Sequence, residues 1–282
     1  MFRNLTDRTK AAIYYALALG LGFATLLLAP MFGALITVIY MFTPLLAVLL
    51  MLLVVTRDGY TKAGWAVLGL HHGGTRIWRL ALLPCLTLGF GYSVVWLTGV
   101  ASFAMPEGGL ASLLLEMAFA ALIALPLAFG EEVGWRGYLL PHLSALPRGR
   151  MLLFSGLLHG IWHLPVLLLT PYYHSAGNPL IVTALFLATL TLAGVVYGYL
   201  RLMTDSAWPA VIAHTTANVV WGTLNGLTIA ASPVALEYLY GETGLLPLIA
   251  TAVVAGWLLH RLGQGQRAAQ QPLAPPINAN AS

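Results

Sequence analysis

LASLLLEMAFAALIALPLAFGEEVGWRGY, residues 110–138, is the stretch whose reading decides the fold. Its first twenty residues are apolar apart from Ser112 and Glu116, and it then closes on Glu131, Glu132 and Arg136. A helix rises about 1.5 Å per residue, so about twenty apolar residues cross a hydrocarbon core of about 30 Å. An ionised side chain near the bilayer centre costs about 2.5 to 3.5 kcal/mol, which marks a carboxylate doublet at the end of such a run as a place to look for chemistry.

The rest of the chain has the same character. Of 282 residues, 59% are hydrophobic and 8% charged, and the mean hydropathy is +0.84. This composition belongs to polytopic membrane proteins and excludes a soluble domain. The expectation is an all-α transmembrane bundle of about eight spans, near 10–29, 31–55, 77–104, 110–135, 151–170, 179–201, 208–229 and 245–261. With the N-terminus inside, every Lys and Arg, from Arg3, Arg8 and Lys10 through Arg57, Lys62, Arg148, Arg150 and Arg201 to Arg261 and Arg267, falls on the inner side. The outer loops carry only Glu107, Glu237 and Glu242. The positive-inside rule therefore expects both termini in the cytoplasm, and this plain topology suggests a bacterial plasma membrane.

The net charge of +4 describes that inner face and no nucleic-acid footprint. The lone Cys85 excludes an intramolecular disulfide and a cysteine metal cluster. Arg3, Arg8 and Lys10 before an apolar run resemble a signal peptide, but the run is long and lacks a small-x-small cleavage site, so it reads as a retained first helix. Residues 1–262 form one integral membrane domain with its motifs in about 125–222, residues 57–76 read as an inner connection on the membrane surface, and the Gln-, Ala-, Pro- and Asn-rich 263–282 as a disordered tail.

Polar groups gather on three spans. Glu132 and Arg136 are four apart, glutamate first, the favoured order for an ion pair on one helix face. Glu131, rotated about 100° from its neighbour, aims elsewhere. That division makes Glu132 structural and Glu131 reactive. On the fifth span His159 and His163 share a face before Pro165, and on the seventh His214 and Asn218 repeat the spacing. Counted from the inner boundary, all these groups fall between about 12 and 20 Å deep, one layer that a water-filled cavity could reach from the cytoplasmic side. A carboxylate, imidazoles and a carboxamide around water are the parts of amide hydrolysis, a base and donors for the oxyanion. The same groups are also ordinary ligands of Zn2+, although the soluble His-Glu-x-x-His pattern is absent. Glu116 reads as satisfied by a backbone or hydroxyl partner, and His71, His72, His142, His174 and His260 as interface or loop residues.

Glu131-Glu132 with Gly134-Trp135-Arg136-Gly137-Tyr138, then Trp162-His163-Leu164-Pro165, then Trp208-Pro209 and His214-x-x-x-Asn218, resemble the three motifs of the CPBP family of intramembrane proteases, which includes the CAAX prenyl endopeptidases and bacteriocin-processing proteins. The resemblance implies that Glu131 activates water with help from His163, that His214 and Asn218 stabilise the oxyanion, and that Glu132 and Arg136 hold the site. If a metal takes part, it implies Glu131, His163 and His214 as ligands; the sequence leaves open metal-bound or glutamate-activated water. The family usually has an aromatic residue where this chain has His159, a lesser candidate able to share the role of His163 or bind a metal with it. The function expected is an intramembrane endopeptidase acting on a membrane-associated peptide or protein, prenylated CAAX substrates being included by analogy. The alternatives are a non-catalytic immunity or scaffold protein, against which the full polar set stands, and a proton-coupled transporter, against which the lack of internal repeats stands.

Overall fold

The computed structural model describes residues 5–73, 75–171, 173–174 and 176–270. Eight principal helices follow the eight apolar stretches: α1 (Asp7–Leu26), α2 (Leu35–Val55), α3 (Leu83–Thr98), α4 (Gly109–Glu132), α5 (Arg148–Leu169), α6 (Pro179–Thr204), α7 (Trp208–Gly226) and α8 (Leu245–Gln270). Among the described residues seven segments are long and apolar enough to cross a membrane. The helix outside that group is α7, whose Trp208, His214, Thr215, Thr216 and Asn218 dilute its hydropathy. It is the most polar of the eight because it carries part of the site.

Helix α5 packs most extensively on α6, and α4 on α7. The first crossing needs glycine on both sides. A methyl at Gly156 would stand 2.5 Å from the Thr191 carbonyl oxygen, and a Cβ at Gly194 would overlap the Gly156 backbone. Small residues at helix crossings let backbones approach where lipid supplies no hydrophobic drive. Tyr14, Trp135, Tyr138 and Trp162 then fill the centre, Tyr14 edge-on to Trp135 at 5.8 Å and Trp135 edge-on to Trp162 at 5.5 Å.

At the end of the bundle where α1 begins and α8 ends, called the termini end below, the connection 57–73 packs into the protein and does more than rest on a membrane surface. Gly69 adopts φ +62, a left-handed value glycine takes without strain, and its carbonyl accepts from the Ala207 N–H at 2.8 Å. Arg201 staples this segment to the turn that follows α4, donating to Val67 O at 3.1 Å and to Arg136 O at 3.2 Å. At the opposite end a two-residue antiparallel ladder pairs β1 (Ser102–Phe103) with β2 (Thr228–Ile229), tying the loop after α3 to the loop after α7. Helix α8 continues to Gln270, so residues 263–270, expected to leave the bundle as a tail, are helical, while 271–282 lie outside the described residues.

Candidate active site

Helix α4 does not end at the glutamate doublet. It passes into a π-helical segment, Val133–Leu139, every residue of which is buried. A wider i→i+5 turn of this kind is rare and gathers at functional sites. Its glycines are sites of contact: a Cβ at Gly134 would stand 2.6 Å from the Pro44 Cβ, and one at Gly137 3.2 Å from the Leu68 carbonyl oxygen. This segment fills the termini end of the bundle beneath Glu131.

Glu131, Glu132 and Arg136 are all 0% exposed. Glu132 Oε1 accepts from Arg136 Nη1 at 2.8 Å and from His214 Nδ1 at 2.9 Å. Burial makes this pairing necessary, since an ion left alone in such surroundings is strongly destabilising. The guanidinium lies over the Tyr197 ring, 5.0 Å from its centroid, and the same ring stacks on His214 at 5.5 Å. Glu131 turns to a different partner, as adjacent helix positions require. Its Oε2 accepts from His159 Nε2 at 2.7 Å, and its Oε1 makes no hydrogen bond within the described protein. His159 in turn stacks on Trp135 at 5.1 Å.

The histidine nearest Glu131 is thus His159, the residue the sequence ranks second. The two sit level, each eleven residues from the termini end of its helix at His142 and Arg148. His163 is one turn further along α5, where its Nδ1–H donates to the His159 carbonyl oxygen at 3.1 Å and its Nε2 keeps a free lone pair. Its ring centroid is 5.0 Å from that of His159.

Glu131, His163, His214 and Asn218 line one cavity of about 360 Å3. Apart from these groups, Tyr173 and Glu242, its walls are mostly apolar, including Ala120, Ala124 and Leu127 of α4 and Trp221 of α7. These residues lie on the side of Glu131 away from the termini. This cavity therefore extends from Glu131 toward the opposite end of the bundle, and a second, smaller one lined by His214 and Asn218 reaches Leu83 and Pro84 at the start of α3.

A resident metal can be tested against the donors. The ligand atoms that come within 4.8 Å of one another are those of Glu131, His159 and His163. His214, expected as the third ligand, is outside this group, its Nδ1 being committed to Glu132. Distance favours the trio and chemistry does not. Arg136 Nη1 lies 3.3 Å from His159 Nδ1, and a guanidinium only donates, so Nδ1 accepts and the ring proton sits on Nε2, the atom facing Glu131. A protonated nitrogen cannot ligate. Glu131 and His163 remain, fewer than the three protein ligands of a catalytic zinc site, and no step is routed through a metal.

Residues 111–220 match the family described as type II CAAX prenyl endopeptidase, Rce1-like. The chain is related to these endopeptidases. No curated protein matches it. The Rce1-like match runs from α4 to α7 and contains every site residue read from the sequence, from Glu131 to Asn218. The match supports a relation to CAAX-type proteases over that segment, and the seven apolar segments support an integral membrane protein.

Tyr40 and Glu242 lie outside the Rce1-like segment and Tyr173 lies within it, and none of the three stands in a motif read from the sequence. Tyr40 of α2 donates its hydroxyl to the Trp162 carbonyl oxygen and lines the cavity. Tyr173 and Glu242 come from the loops at the far end. His174 Nδ1–H donates to Glu237 Oε2 at 2.7 Å and its Nε2–H to Glu242 Oε2 at 3.3 Å, while the Tyr173 hydroxyl donates to Glu242 at 3.1 Å. Burial acts to lower the His174 pKa, but the hydrogen bonds to Glu237 and Glu242 outweigh it and raise it to about 9. This clasp joins the loop after α5 to the segment before α8. Only the scarcity of carboxylates in the chain could have pointed to it. Glu116 pairs with the Ser112 hydroxyl at 2.8 Å, the kind of partner expected.

Proposed function

We propose that this protein is a glutamate-dependent intramembrane endopeptidase that hydrolyses a peptide bond of a membrane-associated substrate, CAAX-type prenylated peptides being the class its family suggests. The observation that carries the reading is the Glu131 carboxylate: buried, held on one oxygen by His159, with the other oxygen unpaired, in a side chain that lines one cavity with His163, His214 and Asn218. Glu131 Oε1 takes a proton from a water molecule as the water oxygen attacks the carbonyl carbon. His163 Nε2 accepts the second hydrogen of that water and aims it. The oxyanion receives hydrogen bonds from the Asn218 amide and from His214. With its Nδ1–H given to Glu132, His214 donates from Nε2 only as the imidazolium, and Glu132 is its counter-ion. The proton on Glu131 then passes to the amide nitrogen as the C–N bond breaks, leaving a carboxylic acid and a new amine, and the acid's remaining water-derived proton passes to that amine to give carboxylate and ammonium. The mostly apolar wall suits a lipid-bearing or apolar peptide and excludes bulk water. The basic end of the bundle faces the cytoplasm of a bacterial plasma membrane in this reading.

The test is cleavage of a farnesylated CAAX peptide, and of a library of membrane peptides, by the purified protein in lipid nanodiscs. Glu131→Gln removes the base and is expected to abolish turnover, and His163→Ala to reduce it by about 100-fold, within the range of general-base contributions. Cleavage that survives in Glu131→Gln overturns the assignment. Cleavage that a chelator stops and zinc restores overturns the metal-free route.

A further inference from the structure

We infer that His159 is a positioning residue for Glu131, its tautomer set by Arg136, and that it is neither a second base nor a metal ligand. The inference rests on the proteolytic reading of Glu131 and adds a role for a residue found where the related family usually has an aromatic ring.

Three contacts define it. Arg136 Nη1 donates to His159 Nδ1 at 3.3 Å, His159 Nε2–H donates to Glu131 Oε2 at 2.7 Å, and Trp135 stacks on the imidazole at 5.1 Å. His159 is 0% exposed, so both ring nitrogens must be satisfied by protein groups. Arginine carries only donors, and this leaves one neutral tautomer consistent with both contacts. The proton is on Nε2 and directed at Glu131.

Three consequences follow for the carboxylate. One Glu131 oxygen is held at 2.7 Å, which restrains rotation of the carboxylate plane and leaves Oε1 as the unpaired oxygen. The held oxygen already accepts the His159 Nε2–H, which reserves Oε1 to take the proton from water. Finally, the ring has no lone pair facing the cavity, so it cannot stand in for His163, whose Nδ1–H donates to a backbone carbonyl and whose Nε2 is the free acceptor. The two histidines, four apart on one helix face, have opposite tautomers and separate tasks. Trp135 supplies the flat surface that keeps the imidazole from swinging.

The experiment joins a spectroscopic and a kinetic arm, both on the full-length protein in nanodiscs. Nitrogen-15 shifts of histidine side chains distinguish the two tautomers, and His159→Gln identifies the His159 resonances by their disappearance. The expected result is a His159 with protonated Nε2 and bare Nδ1, its shifts unmoved by added zinc. A proton on Nδ1, or a zinc-dependent shift of Nε2, overturns the inference. In the kinetic arm, with the farnesylated peptide, His159→Phe keeps the aromatic shape without the donor and is expected to lower kcat by about 100-fold with KM within about threefold, the signature of a misaligned group. His159→Gln carries an N–H at nearly the position of Nε2 and should recover most of that loss, to within about tenfold of the parent. A Phe variant that turns over like the parent overturns the inference, as does a Gln variant no better than Phe. Glu131→Gln runs beside them: activity surviving there sinks the proteolytic reading itself, while the tautomer measurement still stands or falls alone.

Discussion

Breaking the Glu132–Arg136 pair from either side should harm the protein more than removing it whole. The side chains are both 0% exposed and meet at 2.8 Å. Two unit charges about 4 Å apart attract by about 4 kcal/mol at an effective dielectric of 20, and losing one partner of a buried pair costs about 3 to 5 kcal/mol through the charge left behind. In Arg136→Met, Glu132 keeps only His214 as a partner. In Glu132→Gln, Arg136 keeps His159 and the Tyr197 face. Each single variant is expected to lose about 3 to 5 kcal/mol, with Arg136→Met at the upper end because a carboxylate has fewer alternative neighbours here. The double variant Glu132→Gln/Arg136→Met leaves no unpaired charge from this pair and should cost about 3 kcal/mol less than the two singles added together. Reversible unfolding of all four proteins in mixed micelles of dodecyl maltoside and dodecyl sulfate gives the cycle. Additivity within about 0.5 kcal/mol would refute the claim that the pair is a coupled unit.

The His174 clasp carries a pH dependence. Its folded pKa of about 9 lies above the ordinary value of 6.5, so the stabilisation is complete below about pH 6.5 and is lost as pH rises through about 9. The span between those values corresponds to on the order of 3 kcal/mol at about 1.4 kcal/mol per pH unit. Melting temperatures of the parent should fall between pH 6.5 and 9.5 and those of His174→Gln should not, and equal slopes would show that the clasp is not responsible. At the α5–α6 crossing, Gly194→Val forces a side chain against Gly156 and is expected to lose about 1 to 3 kcal/mol or more by overpacking. Gly256→Val, on an open face of α8 with nothing within 4 Å of an added Cβ, should change stability by no more than about 0.5 kcal/mol in the same unfolding measurement.

Most of the architecture was legible because membrane helices announce themselves by length and apolarity, and the Glu132–Arg136 pair because four residues on one helix is a geometric statement. The α7 helix was legible too, yet its polar site residues make it the one that composition underrates. Counting residues from the inner boundary puts His159 level with Glu131, but the motif match ranks His163 first, and which histidine makes the contact is what the sequence could not give. That His159, and not His163, reaches Glu131 depends on how far α5 slides along α4 and α6, which the glycine contact of Gly156 with Gly194 sets. The π-helical turn is likewise invisible, since Val133–Leu139 has no composition that separates it from an α-helix. The clasp joins residues more than sixty apart, His174 with Glu237 and Glu242, and no periodicity links loops.

These unseen features explain why two adjacent glutamates are needed. Successive helical positions diverge by about 100°, so Glu131 takes His159 from α5 while Glu132 takes His214 from α7. One guanidinium nitrogen then serves both arms: Arg136 Nη1 donates to Glu132 at 2.8 Å and lies 3.3 Å from His159 Nδ1. In the proposed reading the base, Glu131, and the oxyanion donor, His214, are thereby oriented from a single point. A substitution at Arg136 must disturb the two together, while a substitution at His159 disturbs only the base, and the contrast between those kinetic phenotypes is what separates a shared support from two independent ones.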